Sequence, residues 1–340
     1  MVNNTESREC QIAVHEQVGH IKLPRTLTVL EAVAFKQSFQ DLCQSNPHLT
    51  QAELDFSDTQ FIDSSGIGAM MGAWKTAKQH EVQFSLHNVP PPVMMSLSLA
   101  GLDQYLDIRN ILPASSAHDR KRSWDKTLAQ SQTPTTHPSV RSPIKRLVDI
   151  IGGSIGLGLT MLLFIPIAIA IKIEDGGPIF FSQTRCSWMG RRFTIWKFRS
   201  MVINAEALKE KLAAQNEIGG ALFKIKEDPR ITRIGKFLRK TSLDEFPQFW
   251  NVVKGDMSLV GTRPPTPDEI EMYEIPQWQR LDVKPGLTGE WQVHGRSSVT
   301  DFEDVIRLDL RYQERWSLMY DFHLIFKTVA VLFSKDSGAY

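Results

Sequence analysis

Two adjacent carboxylates, Asp244 and Glu245, stand in the stretch TSLDEFPQFWNVVKGDMSLVGTRP (241–264), followed by Phe246-Pro247 and nearly closed by Arg263. The plain reading is a helix start. Ser242 with Glu245 three residues on fits a capping box, acidic residues favour the positive end of a helix, and Pro247 is tolerated in a first turn. The other reading is a reaction centre, and the charge nearby bears on the choice. Residues 185–240 hold 14 Lys and Arg against 5 Asp and Glu. Such a surplus suits phosphates, either of a soluble ligand or of lipid headgroups. Its plainer counterpart is a solvated basic surface.

The chain is long enough for two domains with separate cores, at 340 residues. A formal net charge of +1 gives no overall polyelectrolyte character, so nucleic acid is not an expected partner. Residues 1–140 carry 11 Lys and Arg against 14 Asp and Glu, and residues 141–340 carry 28 against 24. Cys10, Cys43 and Cys186 are far apart and form no C-x-x-C, which argues against a disulfide framework or a zinc site and fits a reducing compartment. The polar opening MVNNTESREC is not expected to be a cleavable signal peptide.

The elements that must position the acidic pair fall into blocks. Residues 1–112 alternate short apolar runs with helical ones, residues 113–143 are rich in Ser, Thr, Pro and charge and read as a flexible linker, 144–172 hold an apolar helix, and 173–340 form the remainder. In the first block AELDFSD and EVQFSLHNV read as strands. SSGIGAMMGAWKTAKQH reads as a helix with Ile67, Met70, Met71 and Trp74 on one face, and PPPVMMSLSLAGLDQYL as another, which is α/β. LDFSDTQFIDSSGIGAMMGAWKTAKQHEVQFSLHNV resembles a STAS domain, the anti-sigma-factor-antagonist fold, most tellingly at Asp63-Ser64-Ser65-Gly66. The resemblance makes Ser64 a candidate regulatory phosphosite for a partner kinase, where a phosphate would meet a helix N-terminus. The plainer reading has Ser64 capping the helix. The block is expected to bind or regulate, with a kinase, a regulatory partner or a second copy of the chain as candidate partners.

Ile150 to Ile171, IIGGSIGLGLTMLLFIPIAIAI, carries no charge. Its length reaches about 33 Å as a straight helix, enough to cross a bilayer core. Pro166 removes a hydrogen bond and bends such a helix, and both flanks are basic, with Lys145 and Arg146 before it and Lys172 after it. A spanning helix carries its positive bias on one side only. Two topologies stay open: a single span, or a helix that enters, breaks at Pro166 and returns.

Beyond it, GGPIFFSQTRCSWMGRRFTIWKFRSM, DPRITRIGKFLRKTSLDEFPQFWNVVKGDMSLVGTRP and VKPGLTGEWQVHGRSS together resemble the bacterial sugar transferase family, the monotopic polyprenyl-phosphate phosphoglycosyl transferases, from about Lys145 to the final GAY. The resemblance implies an α+β membrane-associated catalytic domain with a Pro-broken re-entrant helix at the bacterial inner membrane, both domains facing the cytoplasm. It implies transfer of sugar-1-phosphate from a UDP-sugar to polyprenyl (undecaprenyl) phosphate, releasing UMP and starting an exopolysaccharide, capsule or O-antigen. Asp244 would be the nucleophile, with Glu245 beside it holding Mg²⁺ (or Mn²⁺). Arg239, Arg263 and Arg296 would clamp phosphate, with Lys197 and Arg199 in support. His294 has no evident acid–base partner and reads as structural. Two departures stand out: Ile165-Pro166 replaces the usual Ser-Pro, and Thr262 the usual proline of GTRP. The C-terminal WSLMYDFHLIFKTVAVLF reads as a core or an interfacial helix. The alternative for the whole chain is a membrane-anchored STAS regulator with an inactive transferase half.

Overall fold

The computed structural model describes residues 10–109, 137–212, 225, 228–294 and 301–333. Two compact units emerge. The first comprises residues 1–136 with 189–191 and Tyr273–Asp282; the second comprises His137–Trp188, Arg192–Met272 and Val283–Tyr340.

In the first unit the described chain runs β1 (Gln11–His15), β2 (Val18–Lys22), β3 (Thr26–Leu27), α1 (Val29–Ser45), β4 (Gln51–Asp55), β5 (Phe61–Ile62), α2 (Ser64–Gln79), β6 (Gln83–His87), α3 (Pro91–Leu99) and β7 (Asp107–Arg109). The five-stranded sheet has the order β1-β2-β4-β6-β7. Only the β1–β2 hairpin is antiparallel, with β2, β4, β6 and β7 parallel in turn. Parallel neighbours need helical crossovers, and α1, α2 and α3 supply them. A capping box starts α1, where Glu31 reaches back to the Thr28 N–H. The buried stripe of α2 is Ile67, Met70, Ala73 and Ala77. Met71 and Trp74, expected on that face, are only half-buried, and Trp74 packs on Tyr105. The small Ala73 and Ala77, which hydrophobicity weighting passes over, occupy the i+3 and i+7 positions of that face instead.

In the second unit α4 (Pro143–Asp175) is a single helix of 33 residues. It leads to the antiparallel hairpin β8 (Phe180–Cys186) and β9 (Arg192–Phe198), then to α5 (Arg233–Lys240), a 3₁₀ turn at Leu243–Gln248 and α6 (Phe249–Lys254). After these come the parallel pair β10 (Ser258–Val260) and β11 (Gly286–Thr288), then α7 (Phe302–Arg315) and α8 (Leu318–Phe333). The helix α4 continues through Pro166, so the expected break is not an interruption of the helix. Proline deletes one backbone hydrogen bond, while Ile167 and Ile171 just beyond it are held in a cluster with Phe198 and Leu238.

One stripe of α4 is buried, including Gly153, Gly156, Thr160, Ile167 and Ile171. A Cβ on Gly156 would come within 2.4 Å of the Phe249 ring, so only glycine allows that approach. The opposite stripe, with Ile151, Ile155, Leu162 and Ile169 more than half exposed, is equally apolar. Among the described residues this is the one helix long and apolar enough to cross a membrane. The basic flank expected before it is otherwise engaged. Lys145 is buried against Asp321, and Arg146 donates to the carbonyls of Val252 at 2.8 Å and Val253 at 2.6 Å. Those two charges therefore carry no weight in choosing a topology. The expected linker lies outside the described residues up to 136. Its last residues instead form a helical turn, Pro138–Arg141, with Ser139 buried. In α8, Leu324 and Asp321 are buried while Met319 and Phe326 are more than two-thirds exposed, so the helix is core on one side and open on the other.

Candidate active site

The acidic pair sits in the 3₁₀ turn Leu243–Gln248, and what precedes it is not a capping box. Ser242 has φ +55°, in the left-handed region, and its side chain caps nothing. That region is uncommon for a residue with a Cβ and brings α5 to an abrupt stop. The Glu245 carboxylate therefore does not fold back on the helix end. It accepts from Lys197 Nζ at 2.8 Å, across to β9. Asp244 is 7 % exposed and Glu245 half-buried. The turn rests on α4: Leu243 and Phe246 pack on the Ile167–Ile171–Phe198–Leu238 cluster, and Thr160 Oγ1, which donates to the Gly156 carbonyl at 2.7 Å, lies 3.2 Å from the Phe246 carbonyl oxygen. Below it, the Asn251 amide donates to the Thr194 carbonyl of β9 at 2.7 Å.

Arg239, near the end of α5, donates through Nε to Ser200 Oγ at 3.0 Å. Burial pushes its pKa down, opposed by the negative charges of Asp244, Asp228 and Glu245. Arginine stays charged across any such shift, so the site holds a fixed cation facing the carboxylates. The sequence reasoning assigned no role to Asp228, Arg230 or Ser200. Arg230 grips Asp228 through Nε at 2.9 Å and Nη2 at 2.6 Å, both residues being buried, and the Arg230 carbonyl accepts from the Val202 N–H. The only sequence signal for this pair was the turn-forming DPR (228–230).

Two other expected residues, Arg199 and Arg263, have acidic partners of their own. Arg199 pairs with Asp175 at the end of α4, and a Cβ on Gly177 would fall within 1.7 Å of Arg199 Nη1, so the guanidinium fills the space of a missing side chain. Arg263 forms a two-pronged fork on Glu269, with Nη1 at 2.6 Å from Oε2 and Nη2 at 3.1 Å from Oε1. Arg296 lies outside the described residues. His294, expected to have no acid–base partner, lies between the Glu290 carboxylate and Lys327 Nζ. Lys327 was hidden because a single sequence does not display a contact between residues 294 and 327, whereas Glu290, four residues before His294 on the same short helix, was open to a spacing argument.

Among the described residues there is no group of three or more His, Cys, Asp or Glu side chains placed to hold a metal ion. The donors at the acidic pair are carboxylate oxygens alone. They fit Mg²⁺, which takes one or two carboxylates and fills its shell with water and substrate phosphate oxygens. A carboxylate pair, one member held by lysine and both opposed by a half-buried arginine, can attack or bind phosphorus while the cations offset phosphate charge.

Set against known proteins, residues 140–335 match the family described as "Bacterial sugar transferase". Residues 10–113 match one described as "Mlab, STAS domain". The chain is 50% identical over 188 residues to the galactosyl transferase CpsE of Streptococcus agalactiae serotype III, covering 55% of this chain and 42% of that protein. It is 43% identical over 201 residues to the undecaprenyl-phosphate galactose phosphotransferase of Salmonella typhimurium, covering 58% and 42%. To the exopolysaccharide production protein ExoY of Rhizobium meliloti it is 38% identical over 198 residues, covering 57% and 87%. The chain thus spans less than half the length of the first two relatives and most of the third.

Proposed function

The chain belongs to the bacterial sugar transferase family, joined to an N-terminal STAS domain, and on that premise we propose that it transfers sugar-1-phosphate from a UDP-sugar to polyprenyl phosphate at the cytoplasmic surface of a bacterial inner membrane. The observation that carries this reading is the Asp244-Glu245 pair. It is held on the apolar helix α4, with Lys197 on Glu245 and the half-buried Arg239 beside both.

Asp244 attacks the sugar-bearing phosphorus of the pyrophosphate. The bond from that phosphorus to the bridging oxygen breaks, and the electron pair leaves with UMP. A polyprenyl phosphate oxygen then attacks the same phosphorus, the aspartyl–phosphorus bond breaks, and the carboxylate is restored. Two steps replace one direct meeting of two bulky anions. Arg239 supplies positive charge where negative charge builds up on the phosphate oxygens, at no cost in reorganisation. Lys197 holds Glu245 in place and reduces the repulsion between neighbouring carboxylates. Asp244 and Glu245 would hold Mg²⁺, whose chemistry here is neutralisation of the phosphate oxygens. The exposed apolar stripe of α4 supports a site at a lipid surface, where a polyprenyl chain would lie.

The test is UMP release by detergent-purified protein given polyprenyl phosphate, Mg²⁺ and a panel of UDP-sugars. UDP-galactose heads the panel because the Salmonella relative's name contains that sugar. The expected result is release with one donor, abolished by EDTA and restored by added Mg²⁺. No release with any UDP-sugar would overturn the UDP-sugar donor in favour of another nucleotide donor or of the anchored STAS regulator.

A further inference from the structure

Ser64, the serine of the STAS turn, is neither the helix cap nor open to solvent. The cap is Asp63, whose side chain accepts from the Gly66 N–H at 2.9 Å, and Ser64 has 0 % exposure. What covers it is a segment from late in the chain. Ser64 Oγ lies 2.7 Å from the Trp278 carbonyl oxygen and 2.6 Å from Asp282 Oδ1, and the Ser64 backbone N–H donates to the same Oδ1 at 3.1 Å. Trp278 lies flat against α2 one turn on, where a Cβ on Gly68 would come within 2.6 Å of its ring. The segment has its own internal lock: Arg280, with 0 % exposure, donates to the Tyr273 hydroxyl at 2.8 Å and lies over that ring.

We propose that the Ser64 end of α2 is a docking site for the chain's own Tyr273–Asp282 segment, latched by the Ser64–Asp282 hydrogen bonds, so that Ser64 is open to modification only when the segment leaves. A phosphate on Ser64 Oγ brings about two negative charges and three oxygens. In the docked state those would meet the Asp282 and Asp63 carboxyls in a space with no room for solvent. Phosphate ester and docked segment therefore exclude each other. The usual reading of the turn as a free phosphoacceptor does not hold while the segment is seated.

Protons tighten the latch. One hydroxyl proton cannot serve both the Trp278 carbonyl and the Asp282 carboxylate. The arrangement is complete when Asp282 is protonated and donates to Ser64 Oγ, which in turn donates to the carbonyl. Burial pushes the Asp282 carboxyl up to about 6. Asp63 is pushed up to about 7 by burial, then by the charge of Asp282, with Glu31 of α1 adding a smaller push. Arg280, the segment's own cation, is turned to Tyr273. For acids whose pKa is raised in the docked state, that state is favoured below their free values and loses ground as pH rises through 6 to 7.

Hydrogen exchange by mass spectrometry on the full chain in detergent tests this. With Asp282→Ala, peptides covering 273–282 are expected to exchange about tenfold faster or more, since the buried Ser64 N–H and hydroxyl lose a partner. Peptides from β4 and β6 should keep their protection. Ser64→Glu should release the same segment, and trypsin should then cut after Arg280. Wild-type protection of 273–282, corrected for intrinsic exchange, should be higher at pH 5.5 than at pH 8. Should Ser64→Glu unfold the domain, Asp282→Ala remains the deciding variant, because it lies outside the STAS sequence. Unchanged exchange of 273–282 in Asp282→Ala overturns the latch, as does equal loss of protection across β4 and β6.

Discussion

Replacing Asp244 by Asn is expected to lower sugar-1-phosphate transfer by about 10⁶-fold, the scale on which an enzyme loses its nucleophile. The amide keeps the shape of the carboxyl group, and Asp244 sits almost buried in a turn whose position is set by Leu243 and Phe246 on the helix cluster. The fold should therefore survive, and a thermal transition close to that of wild type checks this. Activity should not survive, because a neutral amide neither attacks phosphorus nor leaves as a carboxylate. The sharper readout is a single turnover with donor labelled in the sugar. Wild-type protein without acceptor should retain label covalently, and Asp244→Asn should retain none. Glu245→Gln is expected to cost less, about 10²-fold, since it loses charge balance with Lys197 and a metal ligand but not the attacking atom. Transfer by Asp244→Asn within tenfold of wild type would assign the chemistry to another residue.

The second large effect concerns stability. Lys145, at the start of α4, donates through Nζ to Asp321 Oδ2 at 2.6 Å and to the Val260 carbonyl at 3.0 Å, with both charged side chains 7% exposed. Tyr312 Oη donates to the other Asp321 oxygen at 2.9 Å, and Trp316 Nε1 donates to Oδ2 at 3.2 Å. Burial and the adjacent carboxylate push the Tyr312 hydroxyl well above its ordinary pKa, so it stays a donor. Asp321→Ala leaves an ammonium buried without its counter-charge, a loss of about 3–5 kcal/mol. For a unit of this size that is a fall in melting temperature of about 10 °C or more. Differential scanning fluorimetry in detergent reads it directly. Lys145→Met with Asp321→Leu should recover part of the loss, since both charges go together and Asp149, which also faces Lys145, keeps its hydrogen bonds from Ser258 and Leu259. A single variant melting within 2 °C of wild type would mean that the pair is idle.

The site was legible in part, and the line falls between local and distant partners. Asp244, Glu245 and Arg239 could be found because they lie within one short stretch in a recognisable order. The capping box was the wrong local account. Ser242 and Glu245 have the right types and spacing, but Lys197, 48 residues earlier in the chain, takes the glutamate. Arg199 and Arg263 carry the expected charge, yet Asp175 and Glu269 hold them, and residue type does not reveal which acid an arginine meets. Lys145 and Arg146 looked like membrane-flanking charge for the same reason.

By itself, then, the sequence determined the alternation of strands and helices in the first block, the long apolar helix, the acidic pair and the family, because these are properties of short windows and of motif order. Hydrophobic periodicity and turn chemistry act between near neighbours, so they can be read without a fold. Tertiary structure alone decided which cation faces Glu245, that Asp63 and not Ser64 caps α2, that α4 runs on through Pro166, and that Asp282 covers Ser64. The Lys197–Glu245 and Ser64–Asp282 contacts join groups 48 and 218 residues apart. A hydrogen bond or ion pair has the strength to hold them only once packing has excluded water and set the distance.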